Sequence, residues 1–317
     1  NKTRFAARKM DIIPSPDISW IWGLVCDEGP KADEFIRCYH DPDWKTYVLR
    51  LPRDQPLGTP EDEVDERVEY LAAQMRDGFE FVQRSIGIDV EAEQISRVVE
   101  FRQGYFQTMG KLRRLMASDP QPYSGIEAYL LSYPLQVPIN TGVEPWEEAL
   151  ELAIAEIEER VERGVGILPA GSPKLMFKIM PYCQPWIGRI FEENGVLLSA
   201  GGPTEKGLSP LRYQGDPYRA SAEIWLRGAV INNTGFQAEQ LSEQLVTYGF
   251  DGMLFGLFDF DRWLGSDDRL LARMIEKNTD LPTFYLEGDF WEDRDYSREG
   301  LRTRIETVCE ILKQRKA

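Results

Sequence analysis

Four short apolar runs, interleaved with helical patterns, constrain this chain more than any other feature. They are "KLMFKIM" (174–180), "GVLLSAG" (195–201), "GMLFGLF" (252–258) and "PTFYLEG" (282–288). Runs of that length bounded by turn residues predict buried strands. Helical patterns near 185–194, 235–249, 266–278 and 298–314 separate or follow them. Strands that alternate with helices need crossover connections, which build a parallel sheet covered on both faces. The expected fold class is therefore α/β. The third run continues into "DFDRWLG", so Asp259 and Asp261 stand where its carboxyl end is expected. Ligands of open α/β sheets bind outside that edge. These acids could serve a metal, a reaction or only solvent.

The first half carries longer helical patterns. "DISWIWGLVC" (17–26) and "WKTYVLRLP" (44–52) predict strands, with a helix over "PKADEFIRCY" between them. Helical periodicity then spans about 61–85 and 91–117, and a shorter helix starts near Gly125. The clearest helix opens at Pro145, with Trp146, Leu150, Ala153, Ile157 and Val161 on one face, and Gly164 as its stop. The stretch 164–173, "GVGILPAGSP", is the best linker. It divides the chain into an expected N-terminal α/β domain with long helices (1–164) and a C-terminal α/β domain (173–317).

Composition narrows the function. Apolar residues make up 42% of the chain, so a sizeable core is expected, and the net charge of −16 repels phosphate backbones. Nucleic acid is excluded as an expected partner, although a local basic pocket could still hold an anionic cofactor. No apolar run approaches the ~20 residues of a membrane span, and no signal peptide is visible. The chain opens on Asn1 rather than Met, so further residues upstream are expected. Cys26, Cys38, Cys183 and Cys309 are scattered, which fits reduced thiols in the cytoplasm.

Several sites can be set aside. "GGPTEKGLS" (201–209) has phosphate-loop glycine spacing at Gly202 and Gly207, but Leu208 stands where the lysine belongs. The chain is not expected to hydrolyse ATP. His40 is the only histidine, so a histidine-rich zinc site or a Ser-His-Asp triad would have to use it. Hydrogen bonding at a helix end accounts for it better.

The stretch "VVEFRQGYFQTMGKLRRLMASDPQPYSGIEA" (98–128) carries paired arginines, a proline turn and "SG-x-EA". "LVCDEGPKADEFI" (24–36) ends a strand in "CD" before a helix, and "LEGDFWEDRDYSREGLRTRIETVCEIL" (286–312) ends in "R-T-R-x-E". In this order the three resemble the 2-hydroxyacyl-CoA dehydratase and benzoyl-CoA reductase subunit family, which includes the 2-hydroxyglutaryl-CoA dehydratase D-component. The resemblance runs from about residue 17 to the end.

The resemblance implies two flavodoxin-like parallel-sheet domains joined by long helices, in a subunit that pairs with a homologous sister in a heterodimer. It implies an anaerobic complex that reduces or dehydrates an acyl-CoA thioester by low-potential one-electron steps. ATP would be used only on a separate activator or electron-donor protein. A 4Fe-4S cluster would be held by three cysteines. The first of these falls upstream of Asn1, the second matches Cys26, and the third aligns with Asp261 to within about one residue. The metal ligands expected from the resemblance are thus Cys26 and Asp261, with Cys183 as an alternative recruit. Each has a plainer reading beside it: Cys26 as a small buried hydrophobe, and Asp261 as a loop acid or the cap of a helix after Gly265. Cys38 and Cys309 are assigned to the core. Lys206, Arg189 and Arg227 are candidates for CoA contact, with surface solvation as the other account. Arg302 and Arg304 are expected to pair with acids such as Asp289, Asp293 or Glu306. Two readings stay open: a subunit that retains a cluster, and a cluster-free structural or docking subunit paired with a cluster-bearing sister. A flavin-binding protein of the same fold is third, since no flavin phosphate loop is visible.

Overall fold

A computed structural model of the chain describes residues 10, 12, 16–23, 28–50, 64–132, 144–178, 185–201, 210–227, 234–258, 262–288 and 297–316. The elements run β1 (Ser19–Gly23), α1 (Glu28–Tyr39), β2 (Thr46–Arg50), α2 (Val64–Ile86), α3 (Ala92–Met116), α4 (Gly125–Ser132), α5 (Glu144–Glu162), β3 (Lys174–Lys178), α6 (Pro185–Glu193), β4 (Leu197–Ser199), α7 (Pro217–Arg227), α8 (Thr234–Thr247), β5 (Gly252–Phe258), α9 (Arg262–Thr279), β6 (Thr283–Gly288) and α10 (Arg298–Lys316). Two compact units emerge: Asn1–Arg102 with Ser209–Gln237, and Gln103–Leu208 with Ala238–Ala317. Residues 164–173, the expected linker, fall inside the second unit.

The second unit is built on a parallel sheet in the order β4-β3-β5-β6. Alternation along each strand sends side chains to opposite faces. Leu175 and Phe177 of β3, Leu198 of β4, Leu254 of β5 and Leu286 of β6 pack against α6 and α10 through Ile187, Phe191, Leu301 and Ile305. Met176, Met253 and Phe255 meet α8 and α9 through Leu241, Leu245, Leu271 and Ile275. Each such side chain contributes about 1.5–3 kcal/mol by leaving water. All five residues of β3 are buried, which is why the run 174–178 is continuously apolar between its two lysines. The chain passes from β3 to β4 on one side and resumes at β5 on the other. The strand order therefore reverses between β3 and β5, and a crevice at their carboxyl ends follows from that topology.

The amino-terminal edge of this sheet is closed by fixed polar contacts. Asp251 accepts from the Lys174 backbone N–H at 2.8 Å and from Lys316 Nζ at 2.8 Å. Lys174 Nζ donates to the Ala117 carbonyl at 3.1 Å. α5 ends as expected: Gly164 has φ of +64°, and Val165 N–H donates to the Arg160 carbonyl at 2.8 Å. Its buried stripe is Leu150, Ile154 and Ile157, with Ala153 and Val161 half-buried.

In the first unit β1 and β2 pair in parallel over five residues, Ser19↔Thr46 to Gly23↔Arg50. Leu49 packs with Val68, Leu71 and Met75 of α2 and with Ala222 and Leu226 of α7. Trp20 lies 5.2 Å from both Tyr47 and Phe79, ring centre to ring centre. Gly78 makes room for it, because a Cβ there would stand 2.5 Å from the Trp20 ring.

Two expectations need correction. α9 begins at Arg262, so Gly265 lies within the helix rather than before it. Cys38 is exposed rather than in the core. The buried side of α1 is set by Asp33, which is 6% exposed. Five residues further on, Cys38 has rotated about 140° around the helix axis and faces away.

Candidate site at the carboxyl ends of the strands

Cys26 lies between β1 and α1, and Asp261 between β5 and α9; both fall outside the described residues, as do Cys183 and Lys206. The structure does describe the frames on either side of the two expected ligands. In the first unit, Asp33 of α1 accepts a hydrogen bond from Trp44 Nε1 at 2.7 Å and one from Thr46 Oγ1 at 2.5 Å. These bonds tie α1 to the start of β2. In the second unit, the frame is an ion pair. Lys178 ends β3, the strand beside β5, and its Nζ pairs with Oδ1 of Asp268 in α9. The two side chains are 8% and 1% exposed. A buried pair of this kind replaces hydration with Coulomb attraction only where both groups are held in place. It sets the height of α9 against the sheet.

Among the described residues no three His, Cys, Asp or Glu side chains gather as a metal-binding set. Of the described cysteines, Cys309 does not fit cluster ligation on chemical grounds. Cys309 is fully buried among Ile305, Val308 and Leu312, and that burial pushes its thiol up to about 12. Iron–sulfur ligation requires the thiolate, which an apolar surrounding disfavours. Cys38 stands on the exposed side of α1, away from any such set among the described residues. The described residues therefore supply no donor set for a cluster.

Other expected residues resolve into ordinary roles. His40 is exposed, and its backbone N–H donates to the Ile36 carbonyl at 2.9 Å as α1 ends. Arg227 reaches buried Glu223 at 2.5 Å and the Pro210 carbonyl at 2.7 Å, so it is committed to holding α7. Arg189 is exposed, 4.0 Å from Glu127. Arg302 pairs with Glu193 at 3.1 Å and with Glu306 at 3.8 Å, the acid–base role expected of it. Asp289 and Asp293 lie outside the described residues.

Reading the sequence missed the Lys178–Asp268 pair. The signal was there in "KLMFKIM": a lysine inside a buried strand needs a carboxylate within reach. The partner came from a helix ninety residues later, which no local pattern marks.

The match to known proteins spans nearly the whole chain. The family model for "2-hydroxyglutaryl-CoA dehydratase, D-component" matches residues 6–312. A benzoyl-CoA reductase subunit from Thauera aromatica is 24% identical over 96% of this chain and 72% of its own length. The (R)-2-hydroxyisocaproyl-CoA dehydratase alpha subunit of Clostridioides difficile is 19% identical over 96% of this chain and 73% of its own. The (R)-phenyllactyl-CoA dehydratase alpha subunit of Clostridium sporogenes is 20% identical over 96% and 72%. Among the described residues no helix is long and apolar enough to cross a membrane. The chain belongs to the 2-hydroxyglutaryl-CoA dehydratase, D-component family.

Proposed function

We propose that the chain is one subunit of a cytoplasmic, anaerobic complex that reduces or dehydrates an acyl-CoA thioester. The observation that carries this reading is the match over residues 6–312, together with relatives that are themselves named subunits of a reductase and of dehydratases. A homologous sister subunit completes the complex, and an ATP-dependent protein delivers the electrons. The loop "GGPTEKGLS" supports that division of labour, since it lacks the lysine of a phosphate loop.

Within this reading, the chain has reduced or lost its hold on a 4Fe-4S cluster. Cys26 is the remaining thiolate candidate, and Asp261 offers oxygen where the family offers sulfur. Carboxylate is the harder donor, and iron–sulfur clusters prefer thiolate. The burial of Cys309, which disfavours its thiolate, favours a second form of the proposal. In that form the chain is a cluster-free docking subunit whose sister holds the cluster.

Anaerobic purification of the complete complex, with iron quantitation and electron paramagnetic resonance, separates the two forms. An unmutated complex in which this subunit's share of iron is zero establishes the docking form, and a Cys26→Ala complex with unchanged iron and spectrum shows that Cys26 is not a ligand. Loss of one cluster's iron in that variant establishes ligation by Cys26. A purified complex with no activity toward any acyl-CoA, given a competent electron donor, would overturn the reading as a whole.

A further inference from the structure

The first turns of α6 and α10 meet at the carboxyl end of the second unit's sheet. α6 follows β3 and α10 follows β6, and both pack on the same face of the sheet through Ile187, Phe191, Leu301 and Ile305. The direction of α10 is marked at its far end, where Lys316 pairs with Asp251 at 2.8 Å, just ahead of β5. Its first residue, Arg298, therefore stands at the opposite, carboxyl edge. There the Arg298 Cζ lies 4.8 Å from the centre of the Trp186 ring. Trp186 is the second residue of α6. Arg298 is exposed and Trp186 is half-buried.

Topology puts this contact on the rim of the crevice. The strand order reverses between β3 and β5, and the chain leaves β3 toward α6 on one face and β5 toward α9 on the other. Trp186 lies in the first turn of α6. α10 shares its core with Leu175 of β3 and Leu254 of β5, the two strands that border the crevice. Ligands of open α/β sheets bind at that point. The contact also prepares a cation to meet an anion. An aromatic face attracts a guanidinium electrostatically. That leaves in-plane N–H groups to donate to the paired oxygens of a phosphate. The ring restricts a long side chain, so less freedom is lost when a ligand binds. The backbone that carries Arg298 is fixed as well. Ser297 Oγ accepts from the Gly300 N–H at 3.1 Å and donates to Glu299 at 3.1 Å, which turns that carboxylate toward the cap.

We propose that Arg298, held on the Trp186 ring, is a phosphate-recognition residue at the rim of the crevice, and that the phosphate belongs to the coenzyme A portion of an acyl-CoA thioester. The second half of this statement rests on the function proposed above, and it names the part of the substrate that this subunit grips. A free phosphate ion offers the same oxygens, so the test separates the two sources.

The test measures binding of coenzyme A to the full chain by calorimetry, with inorganic phosphate as the second probe. Arg298→Gln weakens coenzyme A binding by about tenfold or more, the loss expected for one charge-assisted paired contact. Arg298→Lys recovers only part of that loss, because an ammonium is a point charge without the paired donors. Trp186→Leu weakens binding in the same direction by a smaller factor, since it frees the guanidinium without removing it. Arg302→Gln is the control. It lies one turn further along α10, its charge already pairs with Glu193 and Glu306, and its loss leaves the affinity unchanged. Arg298→Gln removes only an exposed contact and unfolds within about 2–4 °C of the parent, so it decides the matter even where Trp186→Leu fails to fold. Equal losses in Arg298→Gln and Arg302→Gln reduce the effect to net charge and overturn the subsite. Coenzyme A binding that ignores Arg298→Gln also overturns it and leaves the acyl-CoA reading standing. Inorganic phosphate that binds through Arg298 while coenzyme A does not bind upholds the phosphate site and overturns its coenzyme A source. Binding of neither probe overturns the subsite, and the activity of the complete complex then decides the acyl-CoA reading separately.

Discussion

Lys178, at the last position of β3, is paired with Asp268 of α9, and both side chains are buried. The pair stands at the carboxyl end of a middle strand, beside the point where the strand order reverses. That is the part of an open α/β sheet where ligands bind. Its two charges have given up most of their hydration, and the pairing offsets part of that loss.

Removing one charge should therefore cost more than removing both. Lys178→Met leaves Asp268 buried without its cation and should destabilise the chain by about 3–5 kcal/mol. The double variant Lys178→Met with Asp268→Leu should lie within about 1 kcal/mol of the parent, or above it. Urea unfolding of the parent, the single variant and the double variant checks this. Equal losses in the single and double variants would show that the mutual attraction is not what holds the pair.

Much of this architecture was legible in the sequence, and the exceptions have physical causes. β5 runs from Gly252 to Phe258, the same bounds as the apolar run, because it lies inside the sheet and is apolar throughout. β4 is shorter than its run, Leu197–Ser199 against 195–201, because among the described residues it pairs on one side only. α7 was not foreseen. Its buried residues include Ala220, Ala222, Glu223, Ile224 and Leu226, which do not form a clean helical stripe. Glu223 hides the pattern: it is buried because it takes the Arg212 N–H at 2.8 Å and Arg227 Nη2 at 2.5 Å, contacts that no hydrophobic periodicity reports. The candidate site was legible only in part for the same reason. Strand ends can be read from apolar runs, but the Lys178–Asp268 pair depends on segments far apart in the chain.

The clamp on α1 gives a second prediction. Asp33 accepts from both Trp44 and Thr46, and at 6% exposure it has little water to replace them. Asp33→Ala should cost about 3 kcal/mol, since it strands the donors as well as removing the bonds. Thr46→Val should cost about 1 kcal/mol. The double variant should cost less than the sum, because both changes break the same bond. Strict additivity in a double-mutant cycle would contradict a shared Asp33–Thr46 bond.

Glycines on two neighbouring helices should respond in opposite directions. A Cβ at Gly125 would collide with the Leu198 backbone carbonyl, which cannot swing aside as a side chain can. Gly125→Ala should push α4 off β4 and cost about 3 kcal/mol. At Gly104, in the interior of α3, a Cβ meets nothing within 4 Å. Gly104→Ala should stabilise by about 0.5–1 kcal/mol through helix propensity alone. Melting temperatures of the two variants, taken side by side, decide the matter. A loss at Gly104 would mean that its face is covered.

Cys309 should make the chain sensitive to alkali. Its thiol is pushed up to about 12 by burial, with Glu306 adding to the rise and Lys313 opposing it. The unfolded chain ionises a cysteine at about 8.5. Between those values the folded form keeps a proton that the unfolded form has lost, so stability falls as pH rises through that window. Below about pH 8 the contribution is flat. Cys309→Ala removes this thiol from the titration, and its stability should fall less steeply between about pH 9 and pH 11 than that of the parent. Tyr47 and Tyr213, also pushed up to about 12, titrate in both proteins and cancel in the comparison. Chemical labelling offers an independent check. Cys38, exposed on α1, should react with a thiol reagent at once, whereas Cys309, on the buried face of α10, should react only as fast as the second unit opens. Parallel stability curves for the parent and Cys309→Ala, or rapid labelling of Cys309 in the native chain, would show that the thiol is not sealed in the core.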